Sequence, residues 1–202
     1  MTQSICLFWD NSNIFHSAQR ECEKREGAMQ RPSLRVQFDH LFRVATVGRQ
    51  VTRAYCVGSV PPDLGAVWKR LTKDTGVKPE LYERGGLSGK EQGVDQCLQV
   101  SMLRAMIDVK PPQVAVLLTG DGRGFDDGVG FHADLERMHA SGWGIEVVSW
   151  ERACARKLRD WATTTGVFVR LEDHYESVTF LEGGLRASKP PKATRATAKP
   201  RA

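Results

Sequence analysis

Two short runs, ICLFW at 5–9 and QVAVLL at 113–118, are apolar almost throughout, and each ends abruptly in polar residues. Apolar runs of this length, bounded by turn formers, are expected of strands buried on both faces. Such strands need helices on both sides, and the intervening chain supplies them. A helix is expected after Asn13, followed by a polar loop near REGAMQRPS. FDHLFRVATVGRQ sets Phe38, Leu41, Phe42 and Ala45 on one helical face. VTRAYCVG is a strand candidate; Pro61-Pro62 opens a helix through LGAVWKRLTKD, which Gly76 ends. VKPELYE reads as a strand and RGGLSGKEQG as a flexible loop. From Gln92 to Ile107, Val94, Leu98, Met102 and Ala105 line one helical face. A helix over Phe131–His139, the strand GIEVVSW, a helix from Glu151 and the strand GVFVRL complete the order, with EDHYESVTFLE ambiguous. Strands alternating with helices predict an α/β fold with a mainly parallel central sheet and helices on both faces.

Of 202 residues, 41% are hydrophobic, enough for one domain with a sizeable core. No stretch approaches 18 uninterrupted apolar residues, so no membrane span is expected, and the N-terminus has no secretory-signal pattern. Cys6, Cys22, Cys56, Cys97 and Cys154 form no CxxC pair, which fits reduced thiols in a cytoplasmic protein. The net charge is +5, yet six of the 29 basic residues and none of the 24 acidic ones lie from Arg186 on. That leaves 23 against 24 in residues 1–185, a net of −1. Residues 1–185 are therefore expected to form the domain. Residues 186–202, with three prolines and almost no large apolar side chain, are expected to form a disordered tail. The tail's charge suits either nucleic acid or simple solvation.

Ligands of open α/β sheets bind beyond the carboxyl ends of the strands. Asp10 stands at one such end, in FWDNSN, and Asp121 at another, behind VLLTG; Asp95 opens a helix behind a glycine-rich loop. Separately, each has a plain reading: a turn or helix cap for Asp10, a turn for Asp121, a first-turn acid for Asp95. Brought together, they would make a hard oxygen cage suited to Mg²⁺ or Mn²⁺, which can activate water against a phosphate ester.

LFWDNSN, QGVDQCLQVSML and VLLTGDG, with GFHADLERMHASGWGIEVVSW beyond, resemble in order the elements of the NYN family of PIN-like nucleases. The likeness spans roughly residues 4–150. It implies a PIN-like three-layer fold and a Mg²⁺- or Mn²⁺-dependent ribonuclease acting on single-stranded or looped RNA. By position, Asp10, Asp95 and Asp121 become the catalytic, metal-binding acids, and Asn13 either orients a water or phosphate or holds Asp10. The chain departs from the pattern twice. Ser101 stands where relatives often carry a further acid, and Gly130 replaces a second aspartate behind an apparent insertion, GRGFDDGV. Asp126 or Asp127 is expected to supply the missing metal ligand, unless both are solvated loop acids. The alternative function is a weak or inactive RNA-binding or regulatory module.

GGLSGK fails as a phosphate-binding P-loop, because Arg84 and Glu91 occupy required positions. Lys90 and Arg123, with Arg84, flank the proposed site and are candidate phosphate contacts. Ser12 replaces the second aspartate that a haloacid-dehalogenase-type phosphatase would need. His16 is expected to be a partly exposed helix residue. His132 and His139 share a helix face without a zinc set. The five tryptophans are expected mostly in or beside core elements. Residues Val36 to Gln50 offer a possible homodimer surface, and a protein complex is equally open.

Overall fold

The computed structural model describes residues 3–60, 65–83, 94–111, 113–119 and 128–184. The expected flexible loop, the acid-bearing insertion and the basic tail lie largely or wholly outside them.

Six strands form one parallel sheet: β1 (Ile5–Asp10), β3 (Val51–Val60), β4 (Pro79–Glu83), β5 (Val114–Leu118), β6 (Gly144–Ser149) and β7 (Val167–Arg170). Their order is β4-β3-β1-β5-β6-β7. The chain builds outward from β1 on one side, then crosses to the other side for β5. The strand order therefore reverses between β1 and β5, the two runs that are apolar on both faces.

Side-chain alternation divides the core. Ile5, Leu7 and Trp9 join one cluster with Ile14 and Ala18 of α1 (Asn11–Glu26), Leu41 of α2 (Phe38–Thr46), and Trp68 and Leu71 of α3 (Gly65–Thr75). Cys6 and Phe8 join the other, with Leu98 and Met102 of α4 (Val94–Asp108), Leu135 and Met138 of α5 (Phe131–Ala140), and Leu158 of α6 (Arg156–Thr165). The three-layer α/β architecture predicted from the sequence is thus the one observed. No helix among the described residues is long and apolar enough to cross a membrane.

Two local expectations need correction. The polar loop after α1 contains a 3-10 turn, Ala28–Ser33, and a short strand, β2 (Leu34–Val36). β2 pairs antiparallel with β8 (Thr179–Leu181), which follows the single-turn α7 (Tyr175–Val178), so the ambiguous C-terminal stretch resolves into a small second sheet. The helix expected from Glu151 begins instead at Arg156. The carboxylate of Glu172 accepts the backbone N–H groups of Glu151 and Arg152 at 2.9 and 3.4 Å, holding that stretch as a turn.

At the amino edge of the sheet, Arg49 makes a two-pronged bond to Glu146, each contact 2.6 Å long. Both side chains are largely buried, and the pair fastens the connection before β3 to β6.

Candidate active site

The register across the sheet defines a row of residues at its carboxyl edge. Asp10 pairs with Val57 of β3. Trp9 pairs with Leu118, and Leu118 with Val148, so Thr119 lies level with Asp10 and Ser149 level with Thr119. Alternation from Phe8, Leu117 and Val147 turns Asp10, Thr119 and Ser149 toward the face that carries α4 and α5. A polar row thus closes an otherwise apolar face at the point where strand order reverses, the usual ligand position in such sheets.

Asp10 has no exposed surface. It caps α1: Oδ1 accepts the Asn13 backbone N–H at 3.0 Å, and Oδ2 accepts Asn13 Nδ2 at 2.6 Å. The helix-capping reading of Asp10 is therefore correct as far as it goes. Of the two roles open to Asn13, the structure displays the holding of Asp10. A cap needs one oxygen; the second bond fixes the rotation of the carboxylate as well. Beneath it, burial raises the Cys56 thiol well above its ordinary range, and the negative charge of Asp10 raises it further.

Thr119 is fully buried; its carbonyl accepts Ser149 Oγ at 2.6 Å, while its own Oγ1 has no hydrogen-bond partner among the described residues. Asn11 Oδ1 is likewise buried with no partner among the described residues. Buried polar oxygens are ordinarily satisfied, so two orphaned ones on residues at the edge that carries Asp10 fit a site whose occupant is an oxygen-seeking group. Carboxylate, hydroxyl and amide oxygens are hard donors, matching Mg²⁺ or Mn²⁺ rather than zinc. Among the described residues, no group of three His, Cys, Asp or Glu side chains is placed to hold a metal.

β4 and β5 are parallel, so α4 between them returns from the carboxyl edge to the amino edge. The backbone of Asp95, in the first turn of α4, accordingly lies at the same edge as Asp10. Asp121, Asp126, Asp127, Lys90 and Arg123 lie outside the described residues.

The two departures from the expected acid set have local explanations. Ser101 is buried and bonds back to the Cys97 carbonyl at 3.0 Å, satisfied within its own helix. Gly130 has φ 103° and ψ 170°, a conformation almost confined to glycine. An aspartate there would strain the start of α5.

Three residues near this edge escaped sequence reasoning. Thr119 lies inside the TGDG run and carries no signal of its own there, and Ser149 shows only as a polar residue at the end of EVVSW. Asp134, 3% exposed, accepts Gln99 Nε2 at 3.0 Å and pairs with Arg137 at 2.8 Å; in sequence it looks like any surface acid.

The histidines behave as structural residues. His132 and His139 both lie against the Trp161 ring, at 5.0 and 6.2 Å between centroids. Burial lowers the His132 pKa. His16 is partly buried beside Phe15, with Nδ1 3.4 Å from Gln19 Oε1. Trp9, Trp68, Trp143 and Trp150 are core residues as expected.

Fold and site together define a parallel α/β domain with a buried acid at its topological switch point. The NYN domain model matches residues 4–171, and the chain belongs to that family, a PIN-like nuclease family whose domains typically use divalent metals. Among solved structures, the chain is similar to a protein of unknown function from Vibrio parahaemolyticus. The TM-score is 0.60 at 16% identity, covering 85% of this chain and 94% of that one. At that identity the likeness speaks for the fold alone. No curated protein matches the sequence.

Proposed function

We propose that the chain is a divalent-metal-dependent ribonuclease, with Asp10, Asp95 and Asp121 as its metal-binding acids. The observation that carries this reading is Asp10 itself: a fully buried carboxylate at the switch point, gripped through both oxygens by Asn13. Its second oxygen is held at a cost in side-chain freedom that helix capping does not require.

Asn13 keeps the Asp10 carboxylate in one orientation, so that the acid need not reorganise when a cation arrives. Asp95 comes to the same edge on α4, and Asp121 follows Thr119 by two residues along the chain. Asp126 or Asp127 takes the place of the acid that Gly130 cannot provide. Lys90 and Arg123 meet phosphate charge along the RNA strand. Thr119, level with Asp10 on the neighbouring strand, and Asn11, the next residue along the chain, carry further hard oxygens at this edge. A bound Mg²⁺ or Mn²⁺ would supply Lewis acidity toward the phosphodiester and acidify a water.

The test is cleavage of single-stranded and hairpin RNAs by purified protein with Mg²⁺ or Mn²⁺. Cleavage should stop with chelator, and with Asp10→Asn or Asp121→Asn in protein that retains its fold. RNA binding without cleavage under every metal condition would replace this reading with a non-catalytic RNA-binding module.

A further inference from the structure

A helix on the outside of a three-layer fold ordinarily turns polar side chains to solvent. α4 departs from this. Val100, Leu103 and Ile107 are 44%, 39% and 82% exposed, and no other α-helix has an exposed large apolar side chain among the described residues. The three stand at i, i+3 and i+7, on one line along the helix. That line lies opposite Leu98, Met102 and Ala105, which are buried against the sheet. α4 is therefore apolar on its solvent side as well as its sheet side, the pattern of a helix covered from both directions. Single exposed apolar residues need no explanation; three on one crest mark a contact surface.

The charges beside the crest say what fits it. On the flank toward β4, where the Cys97 thiol donates to Glu80 at 2.9 Å, Arg104 and Asp108 are both exposed. They stand one turn apart with the arginine first, the weaker order for an i,i+4 pair, and neither forms an ion pair among the described residues. When two copies of one helix pack antiparallel about a two-fold axis, like flanks meet. An axis level with Met106 lies midway between Arg104 and Asp108, so each Arg104 meets Asp108 of the partner subunit. With a rise of about 1.5 Å per residue, the same axis sets Ile107 against Ile107 of the partner subunit, with Leu103 beside it. A parallel pair would turn Arg104 to the opposite flank of the partner helix, where α4 presents no acid at that height. The crest and its charges are thus self-complementary in one arrangement. The stretch from Val36 to Gln50, the other candidate dimer surface, turns Phe38, Leu41 and Val44 into the core.

We infer that the crest of α4 is the contact face of a two-fold homodimer. The two α4 helices pack antiparallel through Leu103 and Ile107, with Val100 toward the rim and Arg104–Asp108 pairs between the chains. An isologous contact of this kind closes on itself, so assembly stops at two copies. One helix crest covers less than the roughly 800 Å² per partner of a standard interface, and the dimer is accordingly weak, with dissociation in the micromolar range. Antiparallel α4 helices point the carboxyl edges of the two sheets in opposite directions, so the two copies of that edge face apart. The inference does not depend on the ribonuclease reading.

The test is sedimentation equilibrium of the full-length chain from low micromolar to near-millimolar concentration, with thermal melting of each variant in dilute solution as the check on folding. Wild type should pass from monomer to dimer and no further. Ile107→Glu, at a side chain that is 82% exposed, should melt like wild type and stay monomeric, whereas Met29→Glu, at an 88% exposed side chain off this helix, should dimerise like wild type. The charge pairs are tested by reversal. Arg104→Asp sets acid against acid across the axis, and Asp108→Arg sets base against base, so each should weaken self-association about tenfold. Mixing the two single variants restores both opposite-charge pairs, and the mixture should associate as tightly as wild type. The double variant Arg104→Asp, Asp108→Arg should do so on its own. Wild type that is monomeric throughout would overturn the inference and leave the crest to a different partner. A dimer that survives Ile107→Glu would place the contact on another surface and overturn it equally. A dimer abolished by Ile107→Glu whose single charge variants behave like wild type, or fail to associate when mixed, would overturn the antiparallel pairing.

Discussion

Asn13 offers the sharpest perturbation, because two substitutions there act on one contact in opposite electrostatic senses. Asn13→Ala keeps the backbone N–H to Asp10 Oδ1 and deletes the 2.6 Å Nδ2 bond to Oδ2. The lost bond is to a charged acceptor with no exposed surface, so the cost should be about 1.5–3 kcal/mol. For a chain of this size that corresponds to a fall in Tm of about 3–12 °C. Asn13→Asp keeps the shape but sets a carboxylate against a carboxylate at that distance, and two such groups cannot both ionise cheaply. The native state then holds a proton that the unfolded chain has released above a pH of about 3.9. With more protons bound in the native state, stability falls as pH rises from there, by about 1.4 kcal/mol per unit, until the native pair also loses its proton. Asn13→Asp, whose shared proton keeps a bond to Oδ2, should therefore be the stronger variant close to pH 4, lose that lead as pH rises and become the weaker one toward pH 7.5. Urea unfolding midpoints in the presence of chelator, taken from pH 4.5 to 7.5, measure this directly. Parallel curves for the two variants would refute the claim that Asn13 holds an ionised Asp10.

Other outcomes follow from contacts away from Asp10. Arg49→Met leaves Glu146 buried without its partner, so urea unfolding should register a loss of about 3–5 kcal/mol. RNA cleavage per folded molecule should be unchanged, because the pair lies at the opposite edge of the sheet. At Gly58 a Cβ would overlap the Trp68 ring; Gly58→Ala should cost about 1–3 kcal/mol in the same assay, and adding Trp68→Leu should recover part of it. Burial lowers the pKa of both His132 and His174, so each stays neutral in the native state where the unfolded residue would be charged. Stability should then fall as pH drops below about 6.5, and His132→Asn combined with His174→Asn should flatten that slope whatever it does to absolute stability. Deleting residues 186–202 removes six cations; if the tail contacts RNA, the dependence of log affinity on log salt should become shallower in filter-binding measurements.

What could be read from the sequence was what depends on local pattern. ICLFW and VAVLL declared themselves because strands covered on both faces carry apolar residues at successive positions. Asp10 stood out because such a run ended in a carboxylate. Residues whose roles depend on distant partners were invisible. The turn at Glu151 looks helical until Glu172, far along the chain, takes its N–H groups. Leu34–Val36 is too short to read as a strand without its partner Thr179–Leu181. Asp134 resembles a solvated helix acid until Gln99 is brought beside it from α4. The glycine at 130 looked like a lost ligand, whereas its positive φ ties it to the start of α5.

The central claim is that Asp10 belongs to a cation site completed by Asp95 and Asp121. Anomalous diffraction from crystals soaked in Mn²⁺ tests it most directly. The account predicts a single strong peak at the carboxyl edge of the sheet, about 2.1 Å from an Asp10 oxygen, with oxygens of Asp95 and Asp121 completing the protein ligands. It also predicts that the peak disappears in Asp10→Asn crystals. Manganese bound only elsewhere on the molecule, with the Asp10–Asn13 contacts unchanged, would contradict it.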